Sequence, residues 1–436
     1  MKKRLLGLLL AVMVVFTFSF TACGGSDKSS DSDSDSKDSG KKTVNVWAWD
    51  ETFNIKAVEE AKKVYSSDDY DVKVVTMSQD DIVQKLNTSL ASGSTDGLPE
   101  IVLIEDYRIQ GYLTSYPDAF ADLSSIVDED AFSPYKFAVN KVDDKIYGVP
   151  FDSGVTGFFY RTDYLGDAGY DDAALQDITW DEFLEIGKAV KEKTGHALFS
   201  LNPSDLGLVR AIMQSAGTWY NAEDGETITI DNNPALAYGI NIYAQFLKDG
   251  IVEQVADWDG GVNAVQSGSV AGSPQGCWYS STITGADDQS GKWRIAPLPK
   301  IANDAKATHS SSIGGAGWYV IKGLPGEENA IDFLDNTFAS STDLMATLAT
   351  EIGLVSTMKA AADTAPYQEA NEFYSGQKVL EDFSKLSTGV PEVNYGQNTY
   401  VIESVMAEYV QQIIDGKDVD KVLKEAQKQV EAQVAN

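Results

Sequence analysis

Three places in the chain set an aromatic ring beside a carboxylate at the end of a short apolar run. Trp49, Asp50 and Glu51 close the run that begins at Thr43. Glu105, Asp106 and Tyr107 follow Ile101–Ile104, and Phe151 and Asp152 follow Ile146–Val149 and Pro150. Carboxylates accept hydrogen bonds from vicinal hydroxyls, and aromatic faces cover the apolar C–H side of a sugar ring. The combination suits a neutral carbohydrate. Any one of these aspartates also has a plainer use as the N-cap of a following helix; it is the repetition at three strand ends that points to a ligand. Phosphate or sulfate recognition would want clustered arginines, and beyond Arg4 the chain has only Arg108, Arg161, Arg210 and Arg294.

The elements that must hold these groups read as alternating strands and helices. Thr43–Trp49 has the β-branched pattern of a strand, Phe53–Tyr65 that of an amphipathic helix, Tyr70–Met77 a strand and Gln79–Ser92 a helix. Ile101–Ile104 is a buried strand by its β-branched content. Such alternation builds a mostly parallel sheet covered by helices, with ligands outside the carboxyl ends of its strands. Thr179-Trp180-Asp181-Glu182 is a capping box opening a helix to about Lys193. Asp231-Asn232-Asn233-Pro234 opens another to Lys248. Gln397–Asp415 and Val419–Val434 are helices separated by Gly416. Trp47, Trp180 and Trp293 lie inside elements and read as packing.

The N-terminus sets the compartment. Lys2, Lys3 and Arg4 precede an apolar stretch, Leu5–Phe20, and small residues before Cys23, the pattern of a secretory signal over residues 1–22. The stretch falls short of the ~20 residues that span a bilayer. Cys23 sits where bacterial lipoproteins carry their diacylated cysteine, although Phe20 stands where that pattern usually has Leu. Gly24–Lys42 contains only Gly, Ser, Asp and Lys; it reads as a disordered tether with a reach of roughly 25 Å. The formal net charge of −32 argues against nucleic acid or an anionic membrane face as partners. After Cys23 only Cys277 remains, so the body has no internal disulfide. With His196 and His309 as the only histidines, no metal site or cofactor is expected.

Four further stretches carry a resemblance. Gly148-Val149-Pro150-Phe151-Asp152 with Phe158-Phe159-Tyr160-Arg161-Thr162-Asp163, Gly268–Ala271 leading to Gly276-Cys277-Trp278, Gly314-Gly315-Ala316-Gly317-Trp318, and Gly416–Leu423 occur in order. Together they resemble the family 1 extracellular solute-binding proteins, the maltose-binding-like receptors of ABC sugar importers. Trp47–Glu51 and Asn54 are similar to its oligosaccharide-binding branch. The resemblance implies a two-lobe periplasmic-binding-protein fold, α/β, each lobe a mixed, mostly parallel sheet flanked by helices. It places 43–152 and about 307–358 in the first lobe, and about 153–306 and 359–436 in the second. The hinge crossings then fall near Asp152–Val155, Lys306–His309 and Ser356–Ala361.

The resemblance also implies a neutral oligosaccharide held between the lobes by Trp49, Asp50, Glu51, Asp106, Tyr107 and Asp152 of the first, with Trp278 stacking and Tyr279 beside it. Trp318 and an aromatic near the end, Tyr395 or Tyr400, join that set. The loop residues Trp219 and Trp258 are read either as second-lobe ligand contacts or as packing. Permease subunits with a separate ATPase are the implied partners of a monomeric body, anchored through Cys23 on the outer face of the membrane. Two other classes compete: a secreted glycosidase or lyase using paired carboxylates, and a sugar-sensing surface receptor of the same fold. The sequence carries no triad signature, which favours binding.

Overall fold

The computed structural model describes residues 41–434. The signal segment, Cys23 and the tether up to Gly40 lie outside the described residues. Strand β1 (Lys42–Ala48) begins directly after Lys41, with Val44, Val46 and Ala48 turned into the core. The chain continues through α1 (Asn54–Val64), β2 (Tyr70–Thr76) and α2 (Gln79–Ala91), whose N-cap Ser78 accepts from the Asp81 backbone N–H. It then enters β3 (Ile101–Glu105), which ends without a loop in α3 (Asp106–Ser115). β1 pairs in parallel with β2 on one side and β3 on the other, Val46 lying opposite both Val74 and Ile101. These βαβ units are the ones the alternation predicts. After β4 (Gly148–Asp152), fully buried, the chain leaves this sheet.

The second lobe forms around β5 (Thr156–Arg161). Its helices include α4 (Trp180–Thr194), opened by the expected Thr179–Glu182 capping box, α5 (Gly207–Ser215), α6 (Pro234–Lys248) capped by Asn233, and α7 (Trp258–Gln266) capped by Asp257. β6 (Gly272–Gly276) and β7 (Trp293–Ala296) flank β5, both antiparallel to it. Short parallel pairings, Ser200–Leu201 with Glu253–Gln254 and Ala197 with Val270, keep this lobe mixed. Both lobes are mixed, as expected, with the longest parallel pairings in the first βαβ units and only short ones in the second lobe. The partners of β5 arrive after long helical excursions and run against it.

β8 (Ala316–Val320) returns to the first sheet, antiparallel to both β3 and β4, giving the order β2-β1-β3-β8-β4. α8 (Thr342–Ile352) packs beside α1. The chain closes with α9 (Thr399–Ile414) and α10 (Val419–Val434) against α6, turning at Gly416, whose φ of 99° suits glycine. Each lobe buries its own aromatic core: Phe151, Trp318 and Phe338 in the first, Phe183, Phe199 and Phe246 in the second.

Three crossings link the sheets. Val155 bridges Ser312 and Asp152 bridges Ser356, while Ile313 N–H donates to Gly154 O at 2.9 Å. Gly154 has φ +58°, and a Cβ there would meet Ser312 Oγ at 2.7 Å, so this close pairing requires glycine. The return crossing runs through Ser311–Gly315, a few residues beyond the expected Lys306–His309. Those residues stay with the second lobe, since Thr308 N–H donates to Ser215 O and His309 Nε2 lies 2.9 Å from Asp177 Oδ1.

Candidate ligand-binding cleft

The carboxyl ends of β1 and β3 face the second lobe across a cleft made of two joined chambers of about 440 and 360 Å³. Gln79, Glu105, Trp258, Trp278 and Gly314 border both chambers. Trp49, Asp50, Phe53, Asn54 and Asp152 line the first; Asn202, Asp205, Arg210, Gln275 and Tyr279 line the second. Volumes of this size are typical of small-molecule sites.

The tryptophans that part the chambers are set by different means. Trp278 follows β6, whose Gly276 has no room for a side chain because a Cβ would lie 2.4 Å from the indole nitrogen. Its Nε1–H donates to Ile313 O at 2.8 Å, which fixes the ring plane against the return crossing. Trp258 begins α7 and is 53% exposed. Its ring centroid lies 5.7 Å from that of Trp278 and 5.5 Å from that of Tyr279. A large ring left this open has apolar area to offer a ligand. Asp50 organises the turn after β1, accepting from Thr52 Oγ1 and from the Thr52 and Phe53 N–H groups through one oxygen, Oδ1. Asn54 holds the same turn from the other side by accepting from the Trp49 and Asp50 N–H groups.

The structure divides the sequence candidates into two groups. Trp49, Asp50, Asp152, Trp258, Trp278 and Tyr279 are brought together on the cleft. Glu51 points to solvent from the turn beside it. The others are interior. Asp106 is buried against Lys136, with Nζ to Oδ2 at 2.5 Å and Lys136 also donating to Asp152 O at 3.0 Å. Tyr107 is buried, its hydroxyl donating to Ser312 O, and its ring stacks on Trp219 with centroids 5.4 Å apart. Trp219 donates its Nε1–H to Thr399 Oγ1. Tyr395 packs edge-on to Tyr107 and accepts from Gln214 Nε2. Trp318 faces the first-lobe core between Phe151 and Phe338. Side chains alternate along a strand. Glu105, still on β3, therefore reaches the cleft, while Asp106 and Tyr107 turn inward with the first turn of α3. Tyr400 stands behind the cleft wall and donates its hydroxyl to Glu105 Oε2 at 2.5 Å.

Glu105 is one of the strand-end carboxylates named from the sequence, whereas Gln79, Asn202, Asp205, Arg210 and Gln275 are not singled out there. Glu105 had a signal, as the last residue of an apolar strand. Asn202 and Asp205 sit in an ordinary-looking loop, and Arg210 lies in an apolar helix where nothing distinguishes it from a packing residue.

The electrostatics of the cleft floor come from burial. Burial pushes the Asp152 carboxyl up to about 7; Lys136 opposes this and Asp106 adds to it. Burial likewise raises Asp106 against the pull of Lys136. Around the open chambers Asp50, Glu105, Asp205 and Asp257 outnumber Arg210, the one cation on the walls among the described residues. This balance repels anionic ligands and offers acceptors to hydroxyl groups. Among the described residues no group of His, Cys, Asp and Glu is arranged to hold a metal ion.

Two α/β lobes joined by three crossings, with a polar and aromatic cleft between them, define a two-lobe binding protein. The family model for bacterial extracellular solute-binding proteins matches residues 55–374. A lactose-binding protein of Rhizobium radiobacter is 40% identical over 393 residues, covering 90% of this chain and 93% of the relative. An arabinooligosaccharide-binding protein of Halalkalibacterium halodurans is 27% identical over 370 residues, 79% of each chain. The fold is shared with the GacH receptor of Streptomyces glaucescens at TM-score 0.74 and 17% identity, over 91% of this chain and 99% of that one. It is shared also with a B. animalis subsp. lactis binding protein solved with β-1,6-galactobiose, at TM-score 0.72 and 21% identity, over 89% and 97%. The chain belongs to the bacterial extracellular solute-binding proteins.

Proposed function

We propose that the protein is the substrate-binding component of an ABC importer and captures a neutral oligosaccharide in the interlobe cleft. The observation that carries this reading is the Trp258–Trp278 pair standing between two chambers whose walls are acids and amides from both lobes. A sugar with two or more rings can stack on the tryptophans and offer its hydroxyls to Asp50, Asn202, Asp205 and Gln275. The 40% identical relative named for lactose binding supports the same class of ligand.

The mechanism follows from the three crossings. Lobes joined by few strands close around a ligand by hinge bending, with 43–152 and about 311–354 moving against the rest. Closure buries the sugar and presents both lobes together to membrane permease subunits, whose separate ATPase drives transport. Cys23, diacylated after removal of residues 1–22, ties the monomeric body to the outer face of the membrane. Binding without chemical change of the sugar is the expected outcome.

A thermal-shift screen across neutral sugars, with lactose first, tests the reading. Ligand at ~100 times its dissociation constant adds about 2.7 kcal/mol to stability. Binding of an anionic solute in preference to every neutral sugar overturns it. Incubation with the bound sugar followed by product analysis separates binding from hydrolysis, and labelled fatty acid on wild type but not on Cys23→Ser tests the anchor.

A further inference from the structure

Behind the smaller chamber lies a cluster that stacking and the acids of the walls do not use. The first turn of α9 supplies it. Tyr400 donates its hydroxyl to Glu105 Oε2 at 2.5 Å. Glu403, three residues on, accepts from Arg210 Nη1 at 2.5 Å and from the Tyr220 hydroxyl at 2.8 Å. Glu105 belongs to β3 of the first lobe and Arg210 to α5 of the second, and both line the same chamber. Tyr400 is clamped in turn, with the Arg108 guanidinium 4.0 Å and the Arg210 guanidinium 5.7 Å from its ring centroid. Residues three apart on a helix share one face. One helical turn thus holds a charged cleft residue from each lobe.

The two residues are complementary in chemistry. Ionised Glu105 only accepts and Arg210 only donates. Both border the smaller chamber, and between them they suit a vicinal diol: one hydroxyl donates to Glu105 while its neighbour accepts from Arg210. Arg210 is 8% exposed and Glu403 fixes its orientation, so little side-chain freedom remains to be lost on binding. Because Glu105 comes from one lobe and its Tyr400 anchor from the other, the pair is complete only when the lobes meet as they do here.

We propose that Tyr400 and Glu403 are positioning residues that set Glu105 and Arg210 as an acceptor–donor pair reading a vicinal diol of the bound sugar. The assignment rests on the carbohydrate reading above. It makes ligand recognition and lobe approach one event, since the same tyrosine that aligns Glu105 ties the first lobe to the second.

Calorimetric titration with lactose, raffinose and arabinotriose tests it, the tightest binder being carried into the variants. Tyr400→Phe keeps the ring and removes the hydroxyl; acting through Glu105, it should weaken binding by about threefold to tenfold, the size of one typical net hydrogen bond. Glu105→Gln should weaken binding by more. The double variant should be no weaker than Glu105→Gln alone, because the tyrosine acts through the carboxylate. Tyr400→Phe alone should also shrink the penalty for deleting a single hydroxyl from the sugar, which a merely structural role would leave unchanged. Unaltered affinity in folded Tyr400→Phe, or strictly additive losses in the double variant, overturns the assignment while leaving the carbohydrate reading intact. A wild-type protein that binds none of the neutral sugars ends both.

Discussion

The cleft wall and the layer packed directly behind it are built from the same residue types, yet they do different work. On the wall, Trp258, Trp278 and Asp50 face two open chambers. One side chain deeper, Trp219, Tyr107 and Asp106 are closed off, bonded through the Trp219 Nε1–H, the Tyr107 hydroxyl and Asp106 Oδ2 to Thr399, Ser312 and Lys136. The difference lies in whether the polar handle of each group is used internally. Buried polar groups need partners. Trp278 spends its indole N–H on Ile313 O and leaves a face free, whereas Trp219 spends its N–H and both faces. A strand-end acid or aromatic is therefore a ligand candidate only when the next layer has not already claimed it.

This contrast predicts that the inner layer governs stability and the outer layer affinity. The largest effect belongs to the buried node. Lys136 is fully buried and joins Asp106 to the carbonyls of Asp152 and Ala316. Lys136→Met leaves Asp106 without its counter-charge, and breaking such a pair commonly costs ~3–5 kcal/mol. Urea unfolding should show this loss; a stability within 1 kcal/mol of wild type, on the order of ordinary surface changes, would contradict the importance given to the node. Trp318→Ala, in the first-lobe core, belongs to the same class at ~3–5 kcal/mol.

Trp278→Ala comes next, on the other side of the comparison. Truncating a central aromatic of a binding site costs about 2 kcal/mol or more, which is roughly thirtyfold in dissociation constant. Calorimetry should find that loss in a variant that still unfolds cooperatively. Full affinity in folded Trp278→Ala, together with a loss in Trp219→Phe, would reverse the assignment of wall and interior.

Asp152 sits at the boundary and sharpens the comparison through pH. Its folded pKa is raised by burial to about 7, against an ordinary value of 3.8. Between those values the folded protein holds a proton that the unfolded chain has released. Stability from this group is therefore fully present below about pH 4 and declines as pH rises towards 7, with a limiting slope of about 1.4 kcal/mol per unit. Lys136 faces the same group and opposes the rise, while Asp106 and, more weakly, Glu105 add to it; the Cys277 thiol lies against it as well. Asp152→Asn should flatten the wild-type slope between pH 4 and 7 in parallel denaturation series. Equal slopes in the two proteins would show that the carboxyl ionises freely in the folded state.

Much of this molecule is legible from sequence where local rules and burial agree. The strand and helix spans of the first βαβ units, the Thr179–Glu182 capping box and the helix Val419–Val434 follow from periodicity and caps. Trp180 and Trp293 are packing residues, as their places inside elements imply. What was not legible depends on contacts far apart in the chain. Asp106 looks identical to Asp50 until Lys136 is brought beside it. Arg210 becomes a cleft residue only because Glu403, far along the chain, orients it. The return crossing shifts to Ser311–Gly315 because pairing with Gly154 and Val155, rather than any local signal, decides where the chain leaves the second lobe.

The smallest effect is predicted at Glu51, and it tests the comparison from outside. Glu51 follows Asp50 directly and carries the same charge, so a rule based on composition would treat the two alike. The structure does not: Asp50 organises its turn and borders the larger chamber, while Glu51 is exposed and touches neither chamber. Exposed substitutions away from caps and networks usually stay within about 0.5 kcal/mol. Glu51→Ala should therefore leave both the unfolding midpoint and the sugar affinity within experimental scatter. Asp50→Asn should weaken binding several-fold, because one charge-assisted acceptor becomes a neutral one. A loss in Glu51→Ala as large as that in Asp50→Asn would mean that the turn after β1 rearranges when the sugar enters, bringing Glu51 onto the ligand. Ligand-bound amide exchange across residues 49–54 would then show new protection at Glu51, beyond the Thr52 and Phe53 amides that Asp50 already holds.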